Sequence, residues 1–132
     1  MADISFAPLA GWRVIAEPDA LDAATWPGAT DVVRISADDA FAIGGAAPEV
    51  SADPHAIVTP EHGFSGAVLS AEQVTHLAVT HIEWALPGDR PVVAQGLVAG
   101  VPAKLLLRAD ATALLLVAAA ARQELADRID GR

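Results

Sequence analysis

The chain has 132 residues, a formal net charge of -9 from 17 acidic and 8 basic residues, and 53% hydrophobic residues against 5% aromatic ones. That acidity repels phosphate backbones and anionic lipid surfaces, and Lys104 is the only lysine, so neither nucleic acid nor membrane is expected as a partner. The lack of cysteine excludes disulfides, thiolate chemistry and thiolate metal ligation.

The length suits a single domain spanning 1–132. Its core must be built from Val, Leu, Ile and Ala, with Trp12, Trp26 and Trp84 as the large pieces. Asp3 stands where a signal peptide carries positive charge. The longest apolar run, 113–121, falls short of the ~20 residues that span a bilayer. A soluble, cytoplasmic protein is the expectation.

In chain order, 1–11 reads as a loose lead-in and Trp12–Ala16 as a short strand. Pro18 fits a helix first turn, and Ala20–Thr25 reads as a short helix, ended by Trp26-Pro27-Gly28. Asp31–Ser36 is β-branched and strand-like, Ala37-Asp38-Asp39 a turn, and Ala40–Ile43 a returning strand. Adjacent carboxylates in such a turn point apart, so Asp38-Asp39 reads as turn chemistry. Residues 44–54, GGAAPEVSADP, form the flexible loop of the domain by composition, and Gly44-Gly45 belongs to no phosphate-loop pattern.

His55–Thr59 and Phe64–Leu69 read as strands either side of a Pro60–Gly63 turn, together a hairpin. Ser70-Ala71-Glu72-Gln73 is a capping box. The helix it starts is expected to reach about Trp84, with Val74, Leu77, Ala78, His81 and Ala85 on one face. Pro91–Ala99 and Ala103–Arg108 read as strands around a turn at Gly100–Pro102. For 111–129 two readings stand: a strand over Thr112–Val117 then a helix from Ala118 to Ile129, or one continuous helix. Leu114-Leu115-Leu116-Val117 is apolar on all sides, which favours the strand. The order β-α-β-β-β-β-α-β-β-β-α predicts an α+β fold: a mostly antiparallel sheet with two or three helices packed on one face.

The residues that can carry chemistry are few. His76 and His81 lie five apart, about 140° around a helix of ~3.6 residues per turn, so they cannot share one ion. His81 on the apolar face reads as a core histidine hydrogen-bonded to backbone. Glu61-His62 in the turn places an imidazole beside a carboxylate, an arrangement that serves as base or ligand. His55, Glu61, His62 and His81 are therefore the ligand-binding candidates, expected to converge in one cleft if there is a site. No catalytic residue is assignable, and no metal or cofactor is expected. Gly63-Phe64-Ser65-Gly66 lacks the elbow spacing of a hydrolase. Lys104 sits in no Walker pattern and reads as a rim charge.

From Phe64 onward the chain resembles the gamma subunit of heterotetrameric sarcosine oxidase, within the folate-binding aminomethyltransferase-like fold. The resemblance is carried by Gly66-Ala67-Val68-Leu69-Ser70 with the helix opening Ala71-Glu72-Gln73-Val74. It continues through Val93-Ala94-Gln95-Gly96-Leu97-Val98-Ala99, Val101-Pro102-Ala103-Lys104-Leu105-Leu106, and Leu115-Leu116-Val117 before a terminal helix. It rests on element order and apolar placement and includes no catalytic signature. It implies a non-catalytic partner in an oxidoreductase or one-carbon assembly. The expected role is thus protein–protein association, with a protein partner or a homodimer. The alternative is a small-molecule-binding or enzymatic domain built on the turn at 60–63.

Overall fold

Alternation of apolar residues and turn chemistry set most element boundaries. The computed structural model describes residues 4–131. Its elements are β1 (Ala7–Pro8), β2 (Gly11–Ile15), α1 (Pro18–Ala23), β3 (Ala29–Ser36), β4 (Asp39–Gly44), β5 (Ile57–Glu61), β6 (Phe64–Leu69), α2 (Ala71–His81), β7 (Val92–Val98), β8 (Val101–Leu107), β9 (Ala113–Ala118) and α3 (Arg122–Ile129). A single 3₁₀ turn, Ala119–Ala121, leads into α3. The fold is α+β, and the strand pairs are antiparallel.

The strands form two sheets, where sequence order had pointed to one. One has four strands in the order β3-β4-β2-β5; the other has five in the order β1-β6-β9-β8-β7. The chain correspondingly divides into two compact units, Leu9–His62 and the remainder of the described residues. Consequently the hairpin expected over His55–Ser70 does not form. β5 pairs with β2, whereas β6 pairs with β1 and β9. Pro60 has no amide to donate, which suits β5 to a sheet edge. β6 carries Ala67 and Leu69 into a different core from the one that holds Val14. The lead-in is also partly structured, since Ala7–Pro8 is β1; Met1–Asp3 lie outside the described residues.

In the five-stranded unit, β8 alternates strictly, burying Val101, Ala103, Leu105 and Leu107. Val74 and Leu77 of α2 and Leu125 of α3 join the same cluster. Strand then helix is the outcome for 111–129. β9 lies between β6 and β8, and Ala113–Val117 are all buried, which is why that run is apolar on every side.

The capping box forms as expected. Ser70 Oγ accepts from the Gln73 amide at 3.1 Å, and Gln73 Oε1 accepts from the Ser70 amide at 2.9 Å. The helix stops at His81, short of Trp84, because Ile82 turns extended and is buried. The His81 carbonyl then accepts from the Ala99 amide at 2.8 Å. Ala99 (φ 50°) and Gly100 (φ 81°) join β7 to β8, the backbone signature of a type I′ turn.

Residues 44–54 are held at several points. Thr25 and Glu49 exchange backbone hydrogen bonds, the Ala46 amide reaches Pro27 O at 2.9 Å, and Val50 joins the cluster around Val14 and Leu21. Asp53 clamps the end of the segment, accepting the Glu17 amide at 2.9 Å and the His55 amide at 2.8 Å.

Candidate functional site

The strongest electrostatic feature lies on β2, at the centre of the four-stranded sheet. Arg13 stands opposite Phe41 of β4 and Thr59 of β5. Strand residues two apart share a face, so Asp39 and Glu61 lie diagonally on either side of it. Arg13 Nε and Nη2 donate to the two oxygens of Asp39 at 2.6 and 2.7 Å, and Nη1 donates to Glu61 Oε1 at 2.9 Å. Hydrogen bonding to Asp39 raises the Arg13 pKa above its already high value. Partial burial acts against this, and Glu61 adds to it. One guanidinium is thus forked onto one carboxylate and tied to a second, a geometry that lysine cannot reproduce.

This arrangement accounts for Glu61 and alters the reading of Glu61-His62. The Glu61 carboxylate faces Arg13, and His62 lies exposed in a cavity of about 240 Å³ with Trp12, Gly45 and Pro60. His55 is exposed beyond the other end of β5, in a groove of about 580 Å³ with Ile15, Ile57 and Asp53. His81 lines a third cavity, about 300 Å³, with Trp84, Leu97 and Ala99. The four expected site residues are therefore distributed: Glu61 to an arginine, and each histidine to its own cavity. Among the described residues, no group of three or more His, Cys, Asp or Glu could hold a metal ion.

His81 departs from its expected environment. Its Nε2 is buried without a hydrogen-bond partner. The His76 ring meets it edge-on, with centroids 6.5 Å apart, so two side chains on different helical faces still touch at the end of the helix. Trp84 closes the cavity by lying over Gly96, where an added Cβ would approach the indole to 2.5–2.7 Å. Its Nε1 donates to Leu97 O at 2.9 Å. Lys104 sits 5.7 Å over the Phe64 ring, a cation–π contact.

No family model matches the chain, and neither a curated protein nor a solved structure matches it. The residues themselves must carry any functional reading. Sequence reasoning missed Arg13, Asp39 and Asp53. A lone arginine in a five-residue strand was a usable signal, because a half-buried guanidinium requires carboxylate partners. Asp53 offered none: its pKa is lowered first by the Glu17 amide and then by the His55 amide, and Glu17 is 36 residues away in sequence.

The 580 Å³ groove lies at one end of the four-stranded sheet. Ile15 and Ile57 are register partners on β2 and β5, and both are exposed. The link Ala16–Glu17 runs between two acidic segments. The Ala16 amide donates to Asp38 O at 3.1 Å, and the Glu17 amide to Asp53 Oδ2.

Proposed function

We propose that this protein acts by binding another polypeptide, as a non-catalytic component of an assembly. The observation that carries the reading is the cross-strand pair Ile15 and Ile57, 39% and 57% exposed. Adjacent β-branched side chains in water form a continuous apolar step, and covering it contributes about 1–3 kcal/mol by the area rule. Val68, Val79 and Leu97 are further large apolar side chains left exposed. The separation of His55 and His62 into different cavities gives no comparable support to a histidine–glutamate site.

The resemblance to the sarcosine oxidase gamma subunit supplies the first assembly to test, an oxidoreductase or one-carbon complex. The experiment is capture with the purified chain as bait, then reconstitution with the captured protein and light scattering behind size exclusion. A discrete complex heavier than the 13.5 kDa chain is expected. A chain that stays at its monomer mass and retains nothing overturns the reading.

A further inference from the structure

The partner's chemistry is written in the groove at the end of the four-stranded sheet. We infer that it receives an extended segment of a partner protein in which basic residues flank an aliphatic one. This inference rests on the association reading above and specifies its surface.

The floor of the groove supplies the aliphatic subsite. Ile15 and Ile57 face the same side of adjacent strands, at the spacing of a directly opposed cross-strand pair, about 5 Å. A single aliphatic side chain laid against both covers the exposed step.

The rim supplies the charge. Glu17, Asp38 and Asp53 line the groove, and among the described residues neither a lysine nor an arginine does. The carboxylates flank the floor. Asp53 is fixed on one side by the Glu17 and His55 amides, and Asp38 on the other by the Ser36 hydroxyl at 2.8 Å. The two arginines of this unit are already committed. Arg34 pairs with Asp22 at 2.8 Å and donates to Ala37 O and Pro18 O; Arg13 pairs with Asp39 and Glu61. The rim therefore sets three carboxylates beside an apolar floor, with His55 in the lining and Arg34 held on the Pro18 and Ala37 carbonyls. Cations with an aliphatic neighbour satisfy both features.

Two other occupants fit less well. A second copy of this chain brings the same net charge of -9 to an acidic rim, so self-association through this face opposes itself. Strand addition along the whole of β5 meets Pro60, which has no amide to offer. Recognition by side chains at the Ile57 end is what remains.

The test uses a fluorescein-labelled dodecapeptide of alternating arginine and valine, titrated against the full chain by fluorescence anisotropy from low to high salt. Peptides with glutamate for arginine, or serine for valine, separate the charge and apolar contributions. The chain variants are Glu17→Gln combined with Ile57→Thr, both at exposed positions, and Asp89→Asn combined with Gln123→Ala, also exposed, as the control surface. Circular dichroism confirms that each remains folded.

The proposal expects binding of the arginine–valine peptide that weakens steeply with salt, with both altered peptides binding at least about tenfold more weakly. It expects the groove variant to lose at least about tenfold and the control variant to match wild type. Equal binding by wild type and the groove variant overturns the groove assignment while leaving association intact. No binding of the arginine–valine peptide overturns it as well, and the capture experiment decides the association reading separately.

Discussion

Replacing Arg13 with methionine keeps an unbranched stem in β2 and removes the guanidinium. Three charge-assisted hydrogen bonds, at 2.6, 2.7 and 2.9 Å, disappear together. Breaking a fully buried pair by deleting one partner costs about 3–5 kcal/mol, and an exposed pair is worth about 0–1 kcal/mol. The Arg13, Asp39 and Glu61 side chains are 29%, 15% and 21% exposed, nearer the buried limit. A loss of about 3 kcal/mol is the resulting estimate, with both carboxylates deprived of the guanidinium that lies between them. At a urea m-value of about 2 kcal/mol/M, this lowers the midpoint by about 1.5 M. Trp12 and Trp26 lie in the Leu9–His62 unit and Trp84 in the other, so emission in a Trp84→Phe background reports this unit alone. Arg13→Lys should lose about 1–2 kcal/mol, because an ammonium cannot fork onto Asp39 and also reach Glu61. The triple change Arg13→Met, Asp39→Asn, Glu61→Gln should recover at least half of the loss, since no unpaired charge remains. An Arg13→Met midpoint within about 0.3 M of wild type would refute the reasoning and reduce the cluster to a surface ion pair.

Four further outcomes follow from local structure. Ser70→Ala removes one half of the capping box and should cost about 1 kcal/mol in thermal or urea unfolding, with Ser70→Gly milder. Ala99→Asn places a residue tolerant of positive φ before Gly100 and should stabilise by about 0.5–1 kcal/mol; a destabilised variant would contradict the type I′ assignment. Gly11→Ala drives a Cβ into the Ala42 carbonyl on β4, and a loss of about 2–3 kcal/mol with a lower melting temperature is expected. Asp53 and Asp110 bind their protons more weakly folded than unfolded, Asp53 first through the Glu17 amide and Asp110 first through the Thr112 hydroxyl. Their stabilisation is complete above the usual carboxylate range near pH 4 and is lost as pH falls through the depressed folded values. Asp53→Asn should lower stability at pH 7 and flatten the acid limb of a melting-temperature profile; an unchanged acid limb would remove Asp53 from that account.

Local signals told the elements apart well. Ser70-x-x-Gln73 marked the start of α2, and the apolar run through Leu114–Val117 identified a central strand where alanine content alone favoured a helix. Both are decided within a few residues of chain. What escaped was decided at a distance. β5 and β6 look like a hairpin because only His62-Gly63 separates them, yet each finds its neighbours elsewhere in the chain. The Arg13 cluster depends on that strand order: Asp39 is 26 residues away and Glu61 is 48, and only the placement of β2 between β4 and β5 brings them to one guanidinium. The groove was illegible for the same reason, since Ile15 and Ile57 become neighbours only through register. The end of α2 was misjudged because Trp84, read as continuing the helix, instead packs on Gly96.

Site-specific photo-crosslinking tests the central claim most directly. With p-benzoylphenylalanine in place of Ile57, irradiation of the assembled complex should join the chain to another polypeptide, through a peptide rich in arginine or lysine identified by mass spectrometry. The same probe in place of the exposed Gln123 on α3 should give no such product. Crosslinks from Gln123 with none from Ile57, or from neither position, would contradict the account.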